Sequence, residues 1–92
     1  MNLDLSGKTA VVCGSTQGLG YASAAELALL GAHIVLMARD EEKLGAAVKT
    51  LDTSKGQQHQ YLVADFSDTA NVKTAIDGFV KKATVHILVN NT

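Results

Sequence analysis

Apolar positions along the chain alternate between two periods. Short, almost continuously apolar runs are typical of strands buried on both faces of a parallel sheet. These runs lie at residues 9–13, 34–37, 61–64 and 85–89. Between them, apolar residues recur at the i, i+3, i+4, i+7 spacing of amphipathic helices. The spacing predicts helices over residues 18–30, 41–51 and 69–82.

Residues suited to ending or starting helices flank these segments. Asp40 is placed to cap the second helix, and Ser67 or Asp68 the third. Gly31 follows the first helix, where a residue with positive φ is favoured. The polar stretch 52–58 predicts a surface loop. The β-α-β-α-β-α-β order predicts an α/β fold, a Rossmann-type doubly wound parallel sheet with strand order 3-2-1-4 and three helices.

Composition narrows the range of partners. The 92 residues carry a formal net charge of -1 and are 47% hydrophobic and 18% charged, as ordinary globular proteins are. This balance offers no electrostatic basis for binding nucleic acid or an anionic membrane. The sequence shows no secretory signal and no run long enough to span a bilayer, and the single Cys13 excludes an internal disulfide. We therefore expect a cytoplasmic protein with no nucleic-acid or membrane partner.

A glycine-rich segment joins the first strand directly to the first helix. Gly14 can turn the chain sharply, Gly18 lets a pyrophosphate approach the backbone, and Gly20 lets the helix pack close to the sheet. The helix N-terminus presents N–H groups and a positive dipole end to phosphates. A tight structural turn is the alternative. The segment predicted to bind a dinucleotide comprises Gly14, Ser15, Thr16, Gln17, Gly18, Leu19 and Gly20.

The end of the second strand indicates which dinucleotide is bound. An acidic residue at this strand tip would bind the ribose 2′-OH, but Ala38 occupies the position and Arg39 follows. A guanidinium binds phosphate through two parallel hydrogen bonds. Arg39 therefore predicts NADP(H), while Asp40 is assigned to the helix cap. A solvated surface charge is the alternative for Arg39.

Polar residues also follow the third and fourth strands. Asp65 comes after the third strand, where a carboxylate faces the ligand crevice of such a sheet. Capping of the third helix is the alternative for this residue. The fourth strand runs into Asn90, Asn91 and Thr92.

The three motifs together resemble those of the short-chain dehydrogenase/reductase family, in particular its 3-oxoacyl-[acyl-carrier-protein] reductase-like members. The glycine loop, the Asp motif and the Asn pair occur in the family's order, and the resemblance runs from Leu5 to Asn91. It implies that Asp65 and the backbone of Phe66 contact adenine, that Asn91 lies at the cofactor, and that Asn90 is structural. Cys13 and Thr92 depart from the family's usual Thr and Ala.

The resemblance also implies a reaction. The parent protein would be an NADP(H)-dependent oxidoreductase that transfers hydride between nicotinamide and a carbonyl or alcohol substrate, with a 3-oxoacyl thioester as the best specific candidate. Residues 1–92 would be the NADP(H)-binding portion of a longer single-domain fold, inactive alone, and the parent a homo-oligomer. The alternative is a non-catalytic nucleotide-binding or regulatory module. The loop spacing and Arg39 disfavour a third candidate, a methyltransferase.

No catalytic residue is assigned. The family uses a Tyr-x-x-x-Lys pair, but Ala25 stands four residues after Tyr21 and Asp65 four after Tyr61. No metal site is expected either, because the histidines share no ligand spacing with one another or with Cys13. The histidines are His33, His59 and His86.

Overall fold

Strands and helices alternate along the chain as the apolar pattern predicts. The structure, a computed structural model, describes residues 4–14, 18–64, 68–81 and 84–90. The strands are β1 (Thr9–Cys13), β2 (His33–Ala38), β3 (Gln60–Val63) and β4 (Ile87–Asn90), and the helices are α1 (Gly18–Leu29), α2 (Glu41–Thr50) and α3 (Thr69–Val80). The predicted bounds differ by one or two residues, the usual scatter at element ends.

The strands form one parallel sheet in the predicted order, β3-β2-β1-β4. Val11 at the centre of β1 pairs with Val35 of β2 and with Leu88 of β4. All the strands run in the same direction, so their carboxyl ends meet at one edge of the sheet, which we call the carboxyl edge. The opposite border is the amino edge.

The inner strands β1 and β2 lie between two layers of helices. On one face, α1 and α2 pack their small and apolar residues against the sheet, and Ala24, Ala28 and Leu44 are completely buried there. On the other face, Phe79 of α3 packs in a second cluster with Met37. Burial on both faces explains why β1 and β2 have no polar position between residue 10 and residue 13 or between residue 34 and residue 38.

The outer strands do not share this burial, and the expectation of two covered faces is wrong for them. Tyr61 and Val63 of β3 are 38% and 45% exposed, and Leu88 of β4 is 57% exposed. Each outer strand hydrogen-bonds to one neighbouring strand within the described residues. On α3, the apolar side chain of Val80 is also exposed.

Local signals at the helix ends agree with the structure. The Asp40 side chain accepts a hydrogen bond from the backbone N–H of Lys43 at 3.2 Å, and Asp68 is the residue that caps α3. Gly31 has φ of +102°, and a Cβ at this position would lie 2.7 Å from Ser6 Oγ. Glycine is therefore required there both by conformation and by space.

In the loop between α2 and β3, residues 53–56 and Gln58 are exposed, as predicted, whereas Gln57 is buried. This side chain is 5% exposed, and its Nε2 donates to the backbone carbonyl of Ala28 at 2.6 Å. The Gln57 Oε1 accepts from the N–H of Lys55 at 2.8 Å. The loop is thus anchored to the C-terminal end of α1 by one buried amide.

Candidate cofactor site

The chain leaves β1 through a turn that glycine makes possible. Gly14 has φ of +69°, in the left-handed region that other residues adopt only with strain. Its N–H donates to the carbonyl of Met37 at 2.8 Å, which holds the turn against the end of β2. α1 then begins at Gly18. This is the strand, turn and helix arrangement that the glycine motif predicts.

The start of α1 lies directly after this turn. Gly20 is buried, and Ala24 and Ala28 follow it at helical spacing with completely buried side chains. Small residues on one face let α1 lie close to the sheet. Ser15, Thr16 and Gln17 lie outside the described residues, and only the helical backbone is described for Gly18 and Leu19.

Arg39 follows the carboxyl end of β2 and is exposed. The neighbouring carboxylate of Asp40 is held by the N–H of Lys43 at the start of α2. Within the part of the chain that the structure describes, the Arg39 side chain has no hydrogen-bond or ion-pair partner. Among these residues, no carboxylate therefore pairs with the guanidinium.

The remaining predicted site residues follow strands that end at the same edge. Ala64 is buried after β3, and its N–H donates to the Ala38 carbonyl at 2.9 Å. On the other side of β1, Asn90 pairs with Cys13. The predicted residues Asp65, Phe66 and Asn91 themselves lie outside the described residues.

Cys13 lies beneath the glycine turn and is 4% exposed. Burial raises the pKa of its thiol, which disfavours the reactive thiolate. The side chain packs with Val35 and Met37 on the α3 face of the sheet. Cys13 is therefore a small packing residue of the core.

Other candidate chemistry gains no support from the geometry. The described residues contain no group of three His, Cys, Asp or Glu side chains placed to hold a metal ion.

The Tyr21 hydroxyl forms a short hydrogen bond with Thr50 Oγ1, which joins α1 to α2. Across the described ranges, no helix has the length and apolar character to cross a membrane.

The amino edge contains an arrangement that does not follow from the sequence pattern. Each histidine ring there accepts a backbone N–H at Nδ1. The donors are Gln58 to His33, Ile34 to His59 and Thr9 to His86, at 2.9, 3.0 and 3.1 Å. The one positional signal is that His59 and His86 directly precede β3 and β4.

Comparison with known proteins gives a consistent result. The short chain dehydrogenase family model matches residues 8–92. Human inactive hydroxysteroid dehydrogenase-like protein 1 is 41% identical over 85 residues, which are 92% of this chain and 26% of that protein. The chain spans about a quarter of the length of the first curated relatives that it matches, 26% in each case.

Two solved structures share the fold. L-Sorbose reductase from Gluconobacter frateurii, complexed with NADPH and L-sorbose, is 35% identical with a TM-score of 0.86, covering 100% of this chain and 35% of that one. 3-Oxoacyl (acyl-carrier-protein) reductase from Agrobacterium tumefaciens C58, with NADP bound, is 33% identical with a TM-score of 0.86, covering 99% and 35%. The family match and the shared strand order show that this chain belongs to the short-chain dehydrogenase family.

Proposed function

We propose that this chain is the NADP(H)-binding part of an oxidoreductase that transfers hydride between nicotinamide and a carbonyl or alcohol. The observation that carries the proposal is the exposed guanidinium of Arg39 at the carboxyl end of β2, which has no hydrogen-bond or ion-pair partner among the described residues. The left-handed Gly14 turn stands at the end of the neighbouring strand β1. A turn that can bind a phosphate, beside an arginine with no partner among the described residues, suits a dinucleotide that carries a 2′-phosphate.

Each part of the cofactor has residues assigned to it in this proposal. The turn at Gly14 and the N-terminus of α1 would bind the pyrophosphate, and Arg39 would bind the 2′-phosphate. Asp65, Phe66 and Asn91 would contact the adenosine side. The remaining members of the proposed phosphate-binding segment are Ser15, Thr16, Gln17, Gly18, Leu19 and Gly20. The bound nicotinamide would supply the hydride chemistry, and this chain would hold and orient the dinucleotide.

The solved relatives support NADP(H) and leave the substrate open. The two described above were solved with NADPH and with NADP. One is named for L-sorbose and the other for a 3-oxoacyl group, so the shared feature is a carbonyl that accepts hydride. A 3-oxoacyl thioester stays our specific candidate. The homo-oligomeric parent and the cytoplasmic location stay predictions.

Arg39→Ala tests the cofactor assignment. We expect NADPH affinity to fall roughly 10- to 100-fold, because charge-assisted hydrogen bonds to the 2′-phosphate are lost. NADH affinity should hardly change. Fluorescence titration of both dinucleotides measures this, and competition by 2′,5′-ADP against 5′-AMP isolates the phosphate. Lys49→Ala, which removes an exposed cation in the last turn of α2, is the matched control. Equal losses for NADPH and NADH would reject the assignment.

We also propose that residues 1–92 are one portion of a longer single-domain fold. Residues 1–92 cover only about a quarter of the length of the first curated relatives, which supports this. The exposed apolar surface around β4 supports it too. A groove of ≈ 450 Å³ lies between α1 and β4, with Leu27 and Val89 in its largely apolar wall. Intact mass and C-terminal sequence of the protein from its source cell test the proposal. Residues beyond Thr92 that include a Ser and a Tyr-x-x-x-Lys support it, and a mass equal to that of 92 residues contradicts it.

A non-catalytic nucleotide-binding module is the second candidate. It is favoured by the similarity to a human relative whose name describes it as inactive. The two candidates differ in turnover rather than in binding. A protein that binds NADPH through Arg39 but oxidises none of it against a panel of carbonyl compounds, a 3-oxoacyl thioester included, would be this module.

A further inference from the structure

We propose that His59 and His86 are acid-sensitive latches that pin the outer strands β3 and β4 to the inner strands. Each ring, in its neutral form, substitutes for a backbone acceptor at the amino edge. Protonation of the rings releases the amino ends of the outer strands. The proposal rests on hydrogen bonds at the edge opposite the candidate cofactor site, and it is independent of the proposed function.

The latch at β4 consists of His86 and Thr9. The His86 N–H donates to the Thr9 carbonyl at 2.9 Å, and His86 Nδ1 accepts the Thr9 N–H at 3.1 Å. Both polar groups of the Thr9 backbone are thus bound by one residue. The strand pairing of Ala10 with Ile87 begins directly after this contact. The ring therefore extends the β1–β4 ladder by one further bond.

The latch at β3 repeats this arrangement on the other side of the sheet. His59 Nδ1 accepts the N–H of Ile34 at 3.0 Å, just before Val35 pairs with Gln60. His59 Nε2 lies 2.6 Å from the Asp52 carbonyl. A carbonyl oxygen can only accept, so Nε2 carries the hydrogen and Nδ1 is bare. One neutral tautomer satisfies both partners.

Protonation of the rings breaks the hydrogen bonds of the latches because a backbone N–H can only donate. An imidazolium carries hydrogen on both nitrogens, so a protonated ring faces the Thr9 or Ile34 N–H with a second donor. The latched state therefore binds fewer protons than the released state, and lowering the pH favours release. Histidine changes charge between about pH 5 and about pH 8, so the effect belongs to that range.

The charged groups around the two latches differ. The Asp52 carboxylate interacts electrostatically with His59. His86 is exposed and has no acidic contact within the described ranges. Lys8, which precedes Thr9, adds positive charge near this end of β1.

Two further groups belong to the same edge. His33 at the start of β2 also accepts a backbone N–H at Nδ1, from Gln58. Lys55 in the loop before β3 interacts with the charge of Asp4. Protonation of the rings adds positive charge to an edge that already carries Lys8 and Lys55.

Amide hydrogen exchange of the native-length protein between about pH 7.5 and about pH 5 tests the latches. Rates are converted to protection factors, which removes the intrinsic pH dependence of exchange. We expect protection of Thr9 and Ile34 to fall about tenfold, the effect of losing one hydrogen bond. Cys13 and Val35, within the inner strands and farther from the released ends, serve as internal controls and should not change. Constant protection at Thr9 and Ile34, or an equal fall at all four amides, would overturn the proposal.

A pair of variants identifies the ring as the sensor. His86→Asn keeps an oxygen that can accept the Thr9 N–H but does not titrate, so Thr9 protection should become independent of pH while Ile34 keeps its dependence. His86→Leu removes the acceptor, and Thr9 should exchange rapidly at every pH. A wild-type pH profile at Thr9 in His86→Asn would reject the latch. Imidazole ¹⁵N chemical shifts of the unaltered protein give a second test, since hydrogen on Nδ1 of His59 and His86 at neutral pH contradicts it.

Discussion

The inner and outer strands of this sheet have similar apolar sequences but are held in different ways. Leu36 on β2 is completely buried, whereas Leu88 on β4 is 57% exposed. The inner strands are held by helices on both faces. The outer strands are more exposed, and polar side chains before each of them make hydrogen bonds to the neighbouring elements, from Gln57 and His59 at β3 and from His86 at β4. The apolar character of a strand therefore shows what it can bury, and its neighbours determine what it does bury.

Truncating one leucine in each class should give the largest difference. Leu36→Ala is expected to lower the free energy of unfolding by about 2–5 kcal/mol, because it removes buried methyl groups and leaves a cavity. Leu88→Ala is the matched control, with an expected loss of about 0.5 kcal/mol or less at an exposed site. Urea denaturation measures both. Similar losses would show that Leu88 is covered in the native protein.

Replacing the buried amide of the loop should have an intermediate effect. Gln57→Ala is expected to lower the free energy of unfolding by about 1–3 kcal/mol, because the Lys55 N–H loses its acceptor and the Ala28 carbonyl loses a donor. Gln58→Ala is the control, since its side chain is exposed and its backbone N–H still reaches His33.

Thermal unfolding of Gln57→Ala and Gln58→Ala shows whether β3 is held by the Gln57 anchor or by its own pairing with β2. If Gln57→Ala is as stable as Gln58→Ala, then the loop anchor contributes little. The outer strand would then be held by its own ladder to β2.

The smallest expected effect concerns Asp52 and lies below the pH range of the histidine latches. The hydroxyl of Ser54 and the amide of Gln57 bind this carboxylate and hold its pKa below the usual 3.8. Because the pKa is depressed in the folded state, the stabilisation is present above about pH 4 and is lost as the pH falls through the lower folded value. The Ser54 amide chemical shift in an acid titration reports this. Ser54→Ala should raise the pKa of Asp52, and an unchanged value would contradict the assignment.

Much of the fold could be predicted because its signals are local. Asp40 caps α2 through an N–H three residues away, and Gly31 meets the conformational demand of one helix end. Gln57 could not be recognised in the same way. Its partner Ala28 is 29 residues distant, and a polar loop gives no sign of which side chain turns inward.

The candidate site shows the same division between features that the local sequence predicts and features that need the structure. The position of Arg39 after β2 follows from the strand pattern, and that of Gly14 from the glycine motif. That Arg39 has no partner among the described residues depends on where the Asp40 carboxylate turns, and this required the structure. The assignments of Asp65, Phe66 and Asn91 stay predictions that dinucleotide titration of their variants can test.

Element order, helix caps and the turn at Gly14 were encoded in short stretches of sequence, because each depends on backbone conformation and on residues a few positions away. The exposure of Leu88, the burial of Gln57 and the contacts of His59 and His86 depended on folding. These properties join residues far apart in the chain, and the His59 and His86 rings became acceptors only when parallel pairing brought Ile34 and Thr9 opposite them.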